Sequence, residues 1–202
     1  MPDQPQGSRA RLVEAAIDVV RTKGYTAARV EDICAAAGVT KGSFFHHFDS
    51  KDALALAAAD QWRGCADAIF AAAGCDDLAD PLDRLMAYLA FRRAMMTGDL
   101  AQWTCFAGTV IQETYRTHRH LSDACQASIA EHSDAVAAII AEAMRRYGIE
   151  GDWTAPSLAR HIQAVLQGAF ILAKGEGQAA VAVESIDHLR RYVALLFRRP
   201  IG

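Results

Sequence analysis

The chain has 202 residues, 52% of them apolar, and a formal net charge of −3. That length suits one domain, or a small head joined to a larger body, with enough apolar surface to bury a core without cross-links. The five cysteines (Cys34, Cys65, Cys75, Cys105, Cys125) are odd in number, widely spaced and lack a C-x-x-C pair, which argues against a disulfide framework or a zinc site and fits a reducing compartment. No apolar run approaches the roughly 18 to 20 residues that cross a bilayer. The opening MPDQPQGSRA has neither an apolar h-region nor a cleavage site. A soluble, cytoplasmic protein is the expectation.

β-Branched runs bounded by turn clusters are scarce and alanine is abundant, so the fold class predicted is all-α. Residues 1–8 are polar and contain Pro and Gly, which predicts a disordered arm ending at Ser8 as a helix cap. Leu12, Ala16, Val19 and Val20 form one apolar stripe of a first helix, from about Arg9 to Lys23, closed by Gly24. A second helix runs from about Arg29 to Ala37 and a third from about Thr40 to His46, with Gly38 between them and Phe44 and Phe48 facing the first helix. Ser50 caps a long fourth helix, Lys51 to about Ala73. Asp80-Pro81 starts another, to about Thr97, because Pro at the first helical position forfeits no needed N–H. Shorter and longer helices follow at about Leu100–Glu113, Leu121–Tyr147, Thr154–Lys174 and Val183–Arg198, bringing the total to about nine. The organisation predicted is a head at 9–51 and a body at 52–202.

Gly24 to Lys51 is the most informative stretch. Val30, Ile33 and Ala37 repeat at helical spacing, Gly38 can take the left-handed conformation of a tight reversal, and Thr40 caps the next short helix. Two short helices joined in this way outline a helix-turn-helix, whose second helix reads DNA. The charge distribution agrees. Residues 1–51 carry seven Lys/Arg and six Asp/Glu, whereas the remainder carries 14 and 18. A global sum hides such a local bias.

At residues 9–56 the sequence resembles the DNA-binding domain of the tetracycline-repressor (TetR) family of bacterial transcription regulators. The resemblance rests on Gly24-Tyr25, on Val30-Glu31-Asp32-Ile33-Cys34-Ala35-Ala36-Ala37-Gly38-Val39, on Thr40-Lys41-Gly42-Ser43-Phe44-Phe45-His46-His47-Phe48, and on Asp49-Ser50-Lys51-Asp52-Ala53-Leu54. It implies a three-helix reading head and a helical body that binds a small-molecule effector and dimerises. The protein would then be a repressor on a palindromic double-stranded DNA operator, released by its effector. It implies no cofactor, no metal and no catalysis.

A recognition helix presents its N-terminal side chains to base edges in the major groove. Lys41 and Ser43 are the candidates for bases, Thr40 is shared between capping and phosphate, and Gly42 lets the backbone approach closely. Phe45 stands where a tyrosine is usual in the family, and its ring can meet a thymine methyl or sugar but not bond a phosphate. His46 and His47 are set about 100° apart on a helix, which is poor geometry for a chelate; His47 is a phosphate candidate, and His46 is either that or solvated surface. Arg29 replaces a common Ser/Thr, either contacting phosphate or lying across the first helix. A cation gains nothing from the dipole where Lys51 opens its helix, so a phosphate partner is the better reason for it.

Trp62, Phe91, Met95, Trp103, Cys105, Phe106, Tyr115, Gln167 and Phe170 interrupt apolar helix faces in the body, as core residues or as a lining for an apolar or aromatic effector. Cys105 carries a second reading, a thiol that senses electrophiles or oxidants. An enzyme using Cys105 with His118, His120 or His132 is a further alternative, without a supporting motif. Leu158, Ile162, Val165, Leu166, Ala169, Leu189, Val193 and Leu196 offer apolar faces on the last two helices for a homodimer.

Overall fold

A computed structural model describes residues 7–199, with the side chains at 65–67 and 76 outside that description. The described residues form eleven α-helices and one 3-10 turn: α1 (Ser8–Lys23), α2 (Val30–Ala37), α3 (Lys41–His47), α4 (Lys51–Arg63), α5 (Cys65–Ala72), the turn Cys75–Asp77, α6 (Pro81–Ala94), α7 (Leu100–Trp103), α8 (Phe106–Thr114), α9 (Arg119–Tyr147), α10 (Ala155–Glu176) and α11 (Ala180–Leu196). The all-α expectation holds. Two helices read as continuous are each divided, at Gly64 and at Thr104–Cys105. Glycine is a poor helix former, and Cys105 adopts an extended conformation as the N-cap of α8.

Side-chain caps explain most helix starts. Thr40 Oγ1 accepts from Ser43 N at 3.1 Å, Ser50 Oγ from Ala53 N at 3.1 Å, and Asp80 Oδ1 from Leu82 N at 2.8 Å. Each occupies one of the N–H groups a helix start leaves open. Ser8 departs from expectation. It is the first residue of α1, Gly7 holds the cap position, and the Ser8 hydroxyl is taken by His47 Nε2 at 2.6 Å. The expected arm otherwise falls on residues 1–6, outside those described.

The chain divides into two compact units. The first comprises residues up to Gly64 together with Thr104–Ile129. Its core holds Leu12, Val20, Ile33, Phe44 and Leu54 from the N-terminal segment and Phe106, Val110, Leu121 and Cys125 from the later one. The second comprises Cys65–Trp103 and Ala130–Gly202. There α10 packs on α11 and α11 on α6. Leu158, Ile162, Leu166, Ala169, Leu189 and Val193 are all buried within this single chain. The apolar stripes expected to face a partner are therefore mostly internal, and the exposed large apolar residues of these helices are different ones: Ile171, Leu172, Tyr192 and Leu195, the last at 71% exposure. No helix among the described residues is long and apolar enough to cross a membrane.

Candidate nucleic-acid interface

The turn between α2 and α3 is built by Gly38, at φ 62° and ψ 41°, whose N–H bonds Ala35 O while Val39 N–H bonds Cys34 O at 3.0 Å. That left-handed residue reverses the chain without a Cβ penalty. α3 is then oriented by its buried aromatics. Phe44 and Phe48 enter the core, with Arg9 lying 5.3 Å from the Phe48 ring centroid. The opposite edge is left bare: Thr40, Lys41, Gly42, Phe45 and His46 are exposed, Phe45 at 59%. A large aromatic exposed beside a cation has no use in the core of this chain.

Gly42 is instructive. A β-carbon there would meet nothing nearer than Thr40 Oγ1 at 3.7 Å, an ordinary contact, so intramolecular space does not require glycine, although glycine in a helix costs roughly 0.5–1 kcal/mol against alanine.

The remaining head residues are held by local partners. Lys41 ion-pairs with Glu31 across the turn, and that ammonium, first by hydrogen bonding, lowers the Glu31 carboxyl from its ordinary value. Lys23 does the same to Asp32 at 2.9 Å, and Asp32 also accepts the Arg29 main-chain N–H. Arg29 is exposed at the N-cap of α2. Ser43 and His47 are half-buried, and the His46 and His47 rings meet edge to face at 4.8 Å despite their expected divergence. Lys51 Nζ donates to the carbonyls of Tyr25 at 2.9 Å and Ala28 at 3.1 Å, and lies 4.3 Å from the Tyr25 ring centroid. Sequence reasoning missed these carbonyl partners, which lie more than twenty residues away. They supply a structural reason for Lys51 beside any phosphate.

Tyr25 joins the head to the later segment of the same unit. Its hydroxyl donates to Asp52, and its phenol is held above its ordinary value by burial first and by that carboxylate second. Asp52 also faces His120 Nε2 at 3.6 Å and His118 Nε2 at 3.9 Å. Glu113 Oε2 accepts from Thr26 N at 2.7 Å, and Arg21 Nε donates to Thr104 O at 2.8 Å.

The body residues singled out from sequence are shared between the two units. Trp62, Cys105, Phe106 and Tyr115 lie in the first unit; Phe91, Met95, Trp103, Gln167 and Phe170 lie in the second. Trp62 meets Phe106, tilted with centroids 6.0 Å apart, and the Arg21 guanidinium at 5.3 Å. Tyr115 is exposed with Arg116 over its ring. Cys105 Sγ accepts from Gly108 N at 3.3 Å, and burial pushes the neighbouring Cys125 thiol up to about 12. Among the described residues Cys105 makes no hydrogen bond with His118 or His120.

In the second unit Trp103 meets Phe170 edge to face at 5.8 Å, and the Arg92 guanidinium lies 5.7 Å from the same ring. Phe70 stacks on Tyr88 at 5.1 Å and on His132 at 5.4 Å, and Tyr88 Oη bonds His132 Nε2 at 2.7 Å. Burial, aided by the Arg92 charge, lowers His132 to about 4, so its ring is neutral at neutral pH. Tyr88, Arg92 and Phe70 escaped sequence reasoning because they fall on helical stripes that read as core and surface. No group of three metal-ligating side chains occurs among the described residues.

A tight left-handed turn, a short capped helix buried on one side by phenylalanines, and an exposed polar edge at its N-terminus define a helix-turn-helix DNA-binding protein. The model of the bacterial regulatory proteins of the TetR family matches residues 12–58, and that of the tetracyclin repressor-like C-terminal domain matches residues 81–189. The chain belongs to the TetR family and is a transcriptional regulator with a DNA-binding head. Similar proteins include the transcriptional regulator AcuR of Cereibacter sphaeroides, 30% identical over 50% of this chain and 56% of AcuR, and the HTH-type transcriptional repressor DhaR of a Mycobacterium species, 50% identical over 23% of each. The matched parts thus span from under a quarter to about half of these relatives. A TetR regulator from Chloroflexus aurantiacus superposes with a TM-score of 0.80 at 28% identity, covering 93% of this chain and 94% of its own. Another from Agrobacterium tumefaciens gives 0.81 at 23% identity, covering 98% and 100%, and bears on the fold alone.

Proposed function

We propose that this protein is a cytoplasmic, ligand-responsive repressor that binds a palindromic operator as a homodimer and is released by a small-molecule effector. The observation that carries the DNA reading is the exposed edge of α3: Lys41, Gly42 and Phe45 face outward from a helix anchored by Phe44 and Phe48. Lys41 and Ser43 address base edges, and Phe45 packs against a thymine methyl or sugar. Thr40, Arg29, His46, His47 and Lys51 address phosphates. Lys41 exchanges Glu31 for DNA, a change that costs little because exposed ion pairs are weak. Gly42 leaves room for the sugar–phosphate backbone, which accounts for a glycine the fold does not require.

Dimerisation is supported by Ile171, Leu172, Tyr192 and Leu195, apolar residues that α10 and α11 leave exposed. Two-fold symmetry would present two heads to half-sites about 34 to 36 Å apart or a related spacing. Selecting bound fragments from genomic DNA tests the whole reading. A palindrome bound with steeply salt-dependent affinity is expected, and recovery of fragments without a common motif would refute it. Sedimentation as a monomer at micromolar concentration would remove the dimer.

A second reading has one specific observation behind it. Cys105 Sγ is half-buried and caps α8 through Gly108 N–H, so alkylation would uncap that helix. Operator release by an alkylating agent in wild type but not in Cys105→Ala is the expected signature of thiol sensing. Equal release from both would dispose of it.

A further inference from the structure

Arg92 differs from the arginines that flank it. On the same helix, Arg84 donates to Glu142 at 2.7 Å and Arg93 to Asp187 at 2.7 Å. Arg92 has neither an ion pair nor a hydrogen bond among the described residues, and that is what sets it apart, since a buried Nε without an acceptor is shared with Arg84. The Arg92 guanidinium lies against the Phe170 ring. Trp103, which meets the same ring edge to face, also buries its Nε1–H with no acceptor. Guanidinium and indole N–H are donors that cannot accept, so the pair is a demand for acceptor oxygens that the unit itself does not meet. The Tyr88–His132 pair, on both of which Arg92 bears electrostatically, is neutral at neutral pH and adds no counter-charge.

We propose that Arg92 is the anion anchor of the effector site, and that the effector is an amphipathic monoanion: a planar or apolar body carrying one carboxylate, with Trp103 Nε1–H as the second donor. This rests on the reading of the protein as a ligand-responsive regulator. One cation beside one neutral donor matches a single negative charge better than a phosphate dianion, and a carboxylate can accept from both, two hydrogen bonds to the planar guanidinium fork being its strongest arrangement. The anchor is bordered by buried apolar rings, Phe170 against the guanidinium and Trp103 against Phe170, which favours an apolar body beside the acid. A cation left half-buried without a counter-ion is unfavourable in the free protein, and binding the acid removes that defect. An effector bearing an amide in place of the acid keeps the shape and loses the charge.

The test uses the full chain with 3-phenylpropanoate and octanoate, each beside its primary amide, followed by calorimetry. At least one acid should bind about 10-fold or more tightly than its amide, the range expected for a charge-assisted hydrogen bond. Arg92→Gln should bring the acid down to the amide, Arg92→Lys should retain part of the preference, and Trp103→Phe should weaken the acid several-fold. Failure of both acids to bind at about 1 mM, where even a contact of −4 kcal/mol is seen, would overturn the proposal. So would equal binding of acid and amide, or an acid preference that survives in Arg92→Gln. Operator binding by the same preparations without any acid is measured in parallel. Its loss would strike the regulator reading, while the calorimetry still decides the anchor.

Discussion

The head around α3 and the cluster around Arg92 handle polar groups in opposite ways. In the head, Lys23, Lys41 and Lys51 each have a carboxylate or carbonyl partner, and Thr40 and Asp32 cap the helices they precede or open. In the second unit, Arg92 Nε and Trp103 Nε1 are buried with none. A surface that meets a large, hydrated polyanion can satisfy itself with weak exposed pairs and exchange them on contact. Around Arg92 there is no such pair to exchange among the described residues, and the anion site proposed above rests on that shortage.

Acid should separate the two regions most strongly. The folded value of His132 is about 4 against an ordinary 6.5, so the unfolded chain binds more protons between those values. Stability is fully present above pH 6.5 and falls as pH drops toward 4, by up to about 3 kcal/mol. Single-tryptophan variants report the units separately: Trp103 or Trp153 for the second, Trp62 for the first. The second unit should lose stability in this window, and His132→Gln should flatten the slope. An unaltered slope would assign the acid response elsewhere.

Gly24 provides the next largest effect, in the head. It sits at φ 85° and ψ 160°, a region essentially confined to glycine, and a β-carbon would collide with the Glu113 carboxylate. Gly24→Ala should cost about 1 to 3 kcal/mol, read as a lowered denaturant midpoint. A wild-type midpoint would mean that the chain relieves the strain freely. Lys41→Ala should leave stability within about 0.5 kcal/mol, since its pair with Glu31 is exposed, yet weaken specific operator binding by about 1 to 3 kcal/mol. If non-specific DNA weakened equally, Lys41 would be a phosphate contact. The smallest effect has the opposite sign: Arg92→Leu should raise the melting temperature by about 2 to 4 °C if removing an uncompensated half-buried charge gains about 1 kcal/mol. A fall would show that Arg92 supports the fold.

The head was largely legible in sequence because its features are local. Gly38, Thr40 and Ser50 act on N–H and carbonyl groups within a few residues of themselves, and the pattern of their types carries that information. Asp80-Pro81 and Thr154 announced their helices for the same reason. What could not be read was set by partners distant in the chain. Ser8 is drawn from its capping role by His47, and Lys51 finds carbonyls of the turn after α1. Gly64 breaks a helix whose apolar repeat runs on past it. The stripes of α10 and α11 have the periodicity of a buried face, which is the same whether the covering helix belongs to this chain or another. The orphaned state of Arg92 is a property of what surrounds it, and no spacing rule reports it.

The first unit is assembled from two separated stretches of chain, and this imposes an order on its birth. A nascent chain released only as far as Gly64 lacks Phe106, Val110, Leu121 and Cys125, which complete its core. At roughly 5 to 20 residues per second, synthesis of residues 65–103 and then 104–129 leaves the reading head without those contacts for several seconds. The loop that must close is paid in chain entropy before its contacts return anything. The part of this protein that is most compactly written in sequence therefore does not mature as soon as its own residues have left the ribosome.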